Sequence, residues 1–449
     1  MFKKVDLLNG PILKSIIIFS IPLFISYLFQ IFYNTVDTFI IGRYLGDNSL
    51  AAIGSVGAVY DLLIGFATGI GTGLSIVISR YFGKGDAKLL KKSIATCLVV
   101  GFGFAALIAF FGYFSLNSIL TILKTPKAIF LEAYGYISII ILFSAFIFAY
   151  NLFSAILRSV GDSFRPLLFL IFSSVLNMVL DYYFIAKLNM GIKGAAIATV
   201  IAQGLSAFLS LFYILKYRKN LVPSLEDFKL DTALTKEMTF QGLSMGFMSS
   251  IVSLGSVILQ YGINSLGTLI IAAHQSARKV YNITMLPILG IGLAMPTFVG
   301  QNAGAHKYLR IRKALIYTFI LDTVLAMVIT VYTFIFGRNL IAWISSSQEA
   351  IILNNAFYYI LVAAPFYSVL GILVTSRNSL QALGLKIVPL ISSVIECVGK
   401  IVFCFIFVPL WGYNAVIFCE PIIWCLMCIQ LVYTLFTYDK IANATDEVE

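Results

Sequence analysis

Long apolar stretches of about 20 residues or more recur along this 449-residue chain, separated by charged residues, proline and glycine. A helix rises about 1.5 Å per residue, so each stretch can cross a hydrocarbon layer about 30 Å thick. Lipid offers no water to the backbone, which favours helices because their hydrogen bonds are internal. Only 11% of the residues are charged and 60% are apolar, the inverse of a soluble domain. The sequence therefore predicts an all-α membrane protein.

Twelve transmembrane helices are predicted when the apolar stretches are divided at those breaks. They cover residues 15–41, 52–79, 93–117, 130–157, 164–186, 194–215, 238–262, 268–299, 314–342, 352–376, 387–408 and 413–436. Most of the 31 Lys and Arg residues lie before the first helix, after even-numbered helices and in the C-terminal tail. By the positive-inside rule, we expect a multi-pass protein of the plasma membrane with both termini in the cytoplasm. Lys3 and Lys4 precede a stretch too long for a secretory signal, so it is expected to remain as the first helix.

The two halves of the chain resemble each other in sequence. A first alignment places the stretch from Leu45 to Lys92 on the stretch that begins at Leu266, and 12 of the 48 positions are identical without a gap. Biased composition alone would give roughly four such identities. A second alignment, shifted by two more positions, matches Gly161 and Pro166 with Gly384 and Pro389. The sequence therefore predicts an internal repeat.

Six helices per repeat mean that both halves run in the same direction through the membrane. We therefore predict two parallel-repeat six-helix bundles. The N-terminal bundle covers residues 1–216, and the C-terminal bundle with a short cytoplasmic tail covers residues 238–449. Residues 217–237 mix basic and acidic side chains and are predicted to be a solvated cytoplasmic linker.

Ionisable side chains inside the predicted helices are few, and burying a charge in the bilayer costs at least about 2.5 kcal/mol. Asp37 lies on the first helix, after Pro22, which can bend that helix. Asn177 and Asp181 lie one turn apart on the fifth helix, so an amide and a carboxylate share one face. Asp37 aligns with Ile258 in the first alignment, so the shared scaffold does not require an acid there. If these faces converge, they form an oxygen-rich pocket suited to a proton or a hard cation such as sodium.

Other charged residues of the helices have more ordinary interpretations. Glu396 and Lys400 have the spacing of an ion pair on one helix face, which is either structural or part of a substrate site. Asp61 and Asp322 are predicted near helix ends, where headgroups or water solvate them. Glu420 precedes a proline in the twelfth helix, and its role stays open.

Several classes of function are not expected from this sequence. It has no phosphate-binding Walker motif and no catalytic-triad spacing, and its histidines are His274 and His306. Cys425 and Cys428 lie in a predicted membrane helix without a second cysteine pair, so neither a metal nor a redox role is expected. The net charge of +11 follows the cytoplasmic loops rather than indicating nucleic acid. An ATP-driven pump, an enzyme and a bound cofactor are therefore not predicted.

Short motifs occur in a fixed order from about Leu13 to Tyr438. They are Pro22 with Asp37, Gly42 and Gly46; Gly71, Gly73, Arg80, Gly83, Gly85 and Asp86; Arg158, Gly161 and Asp162; Ala273, His274 and Gln275; and Gly300, Gln301, Asn302, Ala303 and Gly304. In this order the motifs resemble the multidrug and toxic compound extrusion (MATE) transporters. That resemblance implies a V-shaped pair of six-helix bundles that exports drugs in exchange for sodium or protons by alternating access.

The resemblance also implies a cation-coupling site in the first half, where sodium or a proton would bind. Its residues would be Asp37, Asn177, Asp181 and Thr199. A second set is expected to line the substrate cavity or to be structural. This set contains Pro22, Gln30, Tyr33, Asn34, His274, Glu396 and Lys400. Another branch of the family places acids on the seventh and tenth helices, but the tenth helix here has none, so a second-half cation site is not expected.

The expected partners are small-molecule drugs or metabolites, mostly cationic, and the lipid bilayer; the protein is expected to be a monomer. A flippase for lipid-linked saccharide precursors is the alternative. The pyrophosphate of such a substrate would require basic residues in the cavity. Within the predicted helices, only Arg278, Lys279 and Lys400 qualify. A channel or receptor would explain neither the acidic group of the first half nor the repeat.

Overall fold

The computed structural model describes residues 4–345 and 349–444, and its long elements are all α-helices. The chain divides into two compact units. Unit 1 comprises Met1–Asp6 and Ile21–Gly246, and unit 2 comprises Leu7–Ser20 and Phe247–Glu449. The predicted division of the chain into two bundles joined by a linker at residues 217–237 remains a prediction.

Seven helices come before the middle of the chain. They are α1 (Ile12–Leu45), α2 (Asp47–Lys84), α3 (Ala87–Ile122), α4 (Lys127–Leu142), α5 (Ser144–Ser159), α6 (Phe164–Tyr182) and α7 (Ile192–Tyr217). Nine helices follow. They are α8 (Thr232–Asn264), α9 (Thr268–Gly304), α10 (Tyr308–Ser345), α11 (Ala350–Ala363), α12 (Tyr367–Ala382), α13 (Ile387–Val402), α14 (Val408–Trp411), α15 (Tyr413–Thr437) and α16 (Asp439–Ala442).

In the described part of the chain, eleven helices or continuous helical segments are long and apolar enough to cross a membrane. The pair α4 and α5, bent by 46°, forms a twelfth if it is one span. The fold predicted from the sequence, an all-α membrane protein, is confirmed.

Helix boundaries follow from local capping chemistry. Gly85 ends α2 with a φ of 74°, the left-handed conformation that glycine adopts without strain. Asp86 then begins α3, and its side chain accepts a hydrogen bond from the Leu89 backbone N–H at 2.9 Å. Asp231 caps α8 in the same way, accepting from Leu234 at 2.9 Å. Because of this cap, α8 begins at residue 232 rather than at the predicted residue 238.

The segment between α7 and α8 contains two short 3₁₀ turns, Lys219–Leu221 and Leu225–Phe228. Leu221 is buried, so the first turn packs against the helices of unit 1. The backbone N–H and the hydroxyl of Ser224 donate to Asp227 at 2.7 and 2.8 Å. These hydrogen bonds lower the pKa of Asp227, and the bond from the backbone N–H has the larger effect. The segment therefore has defined turns rather than an irregular conformation.

The glycines of α2 allow a close approach to α8 within unit 1. A Cβ atom added to Gly69 would lie 2.6 Å from the Met245 carbonyl oxygen and 2.9 Å from Gly246 Cα. Gly73 likewise meets the backbone of Gln241. Small residues at a helix crossing therefore bring the two backbones into contact, as is common in membrane helices.

Replacing Gly69 by valine should push α2 and α8 apart and lower the free energy of unfolding by about 1–3 kcal/mol, the usual cost of overpacking. Unfolding in mixed micelles, followed by circular dichroism, measures this loss. Gly103→Val is the matched control, because a Cβ atom at Gly103 meets nothing within 4 Å. Equal losses in the two variants would show that the contact between α2 and α8 does not matter.

Candidate functional site

A cavity of about 190 Å³ opens within unit 1. Its lining combines carboxylates, tyrosines and small polar side chains with apolar ones. The lining residues are Asn34, Asp37, Thr38, Ile41, Ile53, Val56, Gly57, Tyr60, Asp61, Tyr136, Ala195 and Thr199. Two carboxylates and two aromatic rings in one concave space suit a small positively charged or polar ligand.

Asp37 meets the polar face of α6 at this cavity. Its carboxyl group lies within hydrogen-bonding range of the Asp181 carboxyl group. Asp181 is completely buried, and its Oδ1 atom has no hydrogen-bond partner among the described residues. Two carboxylates at this distance repel each other unless a proton or a cation lies between them. The pair can therefore bind positive charge.

The amide of Asn177 lies between Asp37 and the backbone of α7. With its nitrogen toward Asp37, Asn177 donates to Oδ1 and Oδ2 at 3.2 and 3.3 Å. Its oxygen then accepts from the Thr199 backbone N–H at 3.3 Å. Both ends of the amide have a partner in this orientation, so Asn177 connects Asp37 with Thr199.

Helix geometry places these residues together. Asn177 and Asp181 are one turn apart on α6, so both side chains leave the same face. Directly after α6, Tyr183–Lys187 forms a π turn, a local widening that often occurs at functional sites. Pro22 lies inside α1, and its carbonyl oxygen accepts from the Ser26 hydroxyl at 2.7 Å.

The remaining residues expected in the first-half cavity have different positions. Asn34 lines the 190 Å³ cavity. Tyr33 lines a smaller neighbouring cavity together with Asn177 and Thr199. Gln30 is half-buried on α1 and lies outside both linings.

Five charged side chains form a continuous series of ion pairs in unit 2. Arg377 lies 3.4 Å from Glu396, whose other oxygen lies 2.9 Å from Lys400. Lys400 is also 4.0 Å from Glu420, and Glu420 is 2.9 Å from Arg278. Four helices contribute to the series, namely α9, α12, α13 and α15. It contains three cations and two anions, so the acids are neutralised by the chain itself.

Neutral polar groups complete this network. The Tyr359 hydroxyl donates to Glu420 at 2.9 Å, and the Lys400 ammonium donates to the Ser256 hydroxyl at 3.1 Å. His274 is buried beside the network, with its Nδ1 atom 3.3 Å from the Tyr413 hydroxyl. Its ring packs edge-on against Tyr359 and Tyr413. His274 is therefore part of an aromatic cluster inside unit 2.

Sequence reasoning missed Arg377, because the tenth predicted helix ends at residue 376. In the structure α12 continues to Ala382, so Arg377 lies within this helix. Its side chain is paired with Glu396 of α13. Tyr60 and Tyr136 of the cavity were also missed. Tyr60 had a signal, since it aligns with Tyr281 in the repeat. Asp61 lines the cavity and its side chain is exposed, so its solvation by headgroups or water stays a prediction.

Asp322 does not lie near a helix end, so that expectation was wrong. Its helix, α10, begins at residue 308 rather than at the predicted residue 314. Asp322 is consequently about four turns from the start of the helix. Its side chain is completely buried in unit 2.

Comparisons with known proteins agree with this architecture. The model of the MatE family matches residues 22–183 and 245–406, one match in each half of the chain. The chain is 27% identical over 402 residues to the probable multidrug resistance protein YpnP of Bacillus subtilis strain 168, covering 88% of both chains. It is 28% identical over 346 residues to the probable multidrug resistance protein YoeA of the same strain, covering 75% of this chain and 74% of the relative. Among solved structures, a crystal structure of MATE in the bent conformation has a TM-score of 0.91 at 22% identity, covering 99% of both chains.

Proposed function

Because this chain belongs to the MatE family of multi-pass membrane transporters, we propose that it exports small organic cations in exchange for sodium ions or protons. The family match covers more than half of the chain, and similar proteins are named as multidrug resistance proteins. The proposal includes alternating access, action as a monomer in the plasma membrane, and cytoplasmic termini. The observation that carries it is the group of Asp37, Asn177, Asp181 and Thr199 beside the unit 1 cavity.

The chemistry of this group supports ion coupling. Asp37 and Asp181 supply negative charge, while the Asn177 amide and the Thr199 hydroxyl supply neutral oxygens of the kind that sodium prefers. A proton shared by the carboxyl groups would satisfy the same pair. Binding of either cation neutralises a buried charge, and it favours one conformation over another when the two bind the cation unequally. Entry of one positive charge could also draw about 2.3 kcal/mol from each 100 mV of membrane potential.

The cavity composition supports an organic cation as the exported compound. Asp37 and Asp61 attract positive charge, and Tyr60 and Tyr136 provide aromatic faces for cation–π contacts. A cavity of about 190 Å³ is small for an organic cation. The proposed cargo would therefore extend beyond the cavity, or the cavity would have to widen.

The alternative, a flippase for lipid-linked saccharides, is not favoured. Carboxylates in the unit 1 cavity would repel a pyrophosphate. In unit 2, Arg278, Arg377 and Lys400 are already paired with glutamates. In the part of the chain that the structure describes, neither the cavity of unit 1 nor the ion-pair network of unit 2 therefore offers unpaired basic side chains that would favour a pyrophosphate.

Transport in liposomes tests the proposal. Purified protein is reconstituted with the cationic dye ethidium inside, and a sodium gradient or a pH gradient is imposed separately. We expect dye movement several times faster under one of these gradients than without a gradient, because cation entry drives cargo exit. Gradient-independent dye release, or translocation of a fluorescent pyrophosphate-linked lipid without dye movement, would overturn the exporter assignment.

A further inference from the structure

Unit 2 contains a buried carboxyl group that the proposed coupling site does not use. Asp322 of α10 faces α12, and its Oδ2 atom accepts a hydrogen bond from the Thr375 hydroxyl at 3.1 Å. Its Oδ1 atom is buried without a hydrogen-bond partner among the described residues. One turn before Thr375 on α12, a Cβ atom added to Gly371 would lie 2.8 Å from the Asp322 Cβ. One hydrogen bond cannot replace the water that an ionised carboxylate loses on burial.

Within the described ranges, Asp322 has no ion pair. On α9, the apolar side chain of Ile288 meets Gly371 at the same point as Asp322 does. The polar and charged side chains of α9, α11 and α12 named next bind glutamates of the ion-pair network, not Asp322. Arg278 and Tyr359 bind Glu420, and Arg377 binds Glu396.

Basic groups elsewhere on the surrounding helices lie at other levels of the helices. On α9, His274 and Lys279 lie two or more turns along the helix from Ile288, and His306 lies between α9 and α10. On α16, which packs against α10, Lys440 lies over the ring of Tyr308 at the start of α10. Among the described residues, Asp322 therefore has no cation that stabilises its charged form, and burial without such a partner favours the neutral form.

The internal repeat shows that the scaffold does not need this acid. Asp322 aligns with Gly101 in the first of the two repeat alignments, and Thr375 aligns with Leu152 in the second. Gly101 of α3 packs directly against the Leu152 side chain of α5. The same helix crossing is therefore apolar in unit 1 and holds a carboxyl and a hydroxyl in unit 2.

The membrane span that packs against Asp322 is broken close to this contact. Between α11 and α12 the backbone forms a 3₁₀ turn, Ala364–Phe366, which contains Pro365 and packs against α10. Such a turn within a membrane span often marks a hinge. Gly371 follows one turn after the break, so movement there would separate α12 from Asp322.

We propose that Asp322 is a second proton-binding site of this exporter, protonated when α10 and α12 are packed and able to release its proton when the crossing opens. Unit 2 would then contribute one proton in addition to the cation bound in unit 1. This inference rests on the proposed export function, but the chemistry of Asp322 can be measured without transport.

Infrared difference spectroscopy of the full-length protein in lipid measures that chemistry. In an Asp37→Asn, Asp181→Asn background, we expect a carbonyl band of a protonated carboxyl group that disappears reversibly as the pH is raised. The band should be missing after Asp322→Asn is added, and Thr375→Val should shift it by removing the hydrogen bond. Identical spectra with and without Asp322→Asn at every pH would overturn the proposal. If the triple variant does not fold, the Thr375→Val comparison decides, and an unshifted band would count against Asp322.

Proton counting tests the role of the group in export. The dye gradient that balances a given pH gradient gives the number of protons exchanged per dye molecule. Asp322→Asn should lower that number by one while downhill dye movement persists, because asparagine retains the shape and the contact with Thr375. An unchanged number would overturn the coupling role. Absence of dye transport by the unmodified protein would instead contradict the proposed function, while the infrared titration still reports on Asp322.

Discussion

Ion-driven dye export is expected to fall at least about tenfold when Asp181 is replaced by asparagine, the size of a typical coupling between two ligands. Asparagine keeps the volume and a hydrogen-bonding group but removes the charge that we propose binds the incoming cation. Asp37→Asn should have a similar effect, because the two carboxyl groups share one site. Initial rates of ethidium efflux from liposomes under an imposed sodium or pH gradient measure the loss.

Downhill dye movement separates a coupling defect from a folding defect. Both variants should still equilibrate dye slowly when no ion gradient is present, because the cavity keeps Asp61 and its tyrosines. Asp227→Asn is the matched control: it removes an acid in unit 1 whose bonds are with Ser224 outside the membrane. Driven export at the unmodified rate in a folded Asp181→Asn protein would move the coupling site elsewhere.

The second large effect concerns the stability of unit 2. Replacing Glu420 by glutamine should lower the free energy of unfolding by about 3 kcal/mol, because it removes a carboxylate that is only 10% exposed, binds Arg278 and lies 4.0 Å from the buried Lys400. Tyr359 would remain as a neutral partner of Arg278. Reversible unfolding in mixed micelles measures the change, and Arg278→Met with Glu420→Gln should cost less than the sum of the two single changes.

An ion pair of the same length with a more exposed carboxylate provides the comparison. Arg80 and Glu237 lie 2.9 Å apart in unit 1, and the Glu237 side chain is 30% exposed, against 10% for Glu420. Glu237→Gln should cost no more than about 1 kcal/mol, since water already screens the carboxylate that is removed. A similar loss in Glu237→Gln and Glu420→Gln would contradict the importance of burial.

Apolar length and the repeat predicted the fold correctly because both are properties of the sequence itself. Part of the unit 1 site was also accessible: the spacing of Asn177 and Asp181 predicts one helix face without any knowledge of the fold. That Asp37 and Thr199 reach this face depends on how three helices pack. No spacing along the chain contains that information, so it was available only through the family resemblance.

Residues near predicted helix ends were the hardest to place. Apolar runs stop at the first charge, whereas helices continue until a cap or a left-handed residue ends them. Arg377 was therefore assigned to a loop, although it lies within α12 and pairs with Glu396 of α13. Asp322 was expected to be solvated for the same reason, yet α10 continues through it with complete burial. Charges buried by packing need tertiary information to be recognised.

Lys400 occupies the position in the repeat that Asn177 occupies in the first half, in the alignment that places Pro166 on Pro389. Its ammonium group, bound by Glu396 and Ser256, is attached covalently to the chain. Such a cation is held by the chain and does not diffuse away. Matching positions of the repeat thus carry a neutral amide in unit 1 and, in unit 2, a counter-ion built into the sequence, so Glu396 needs no ion from solution.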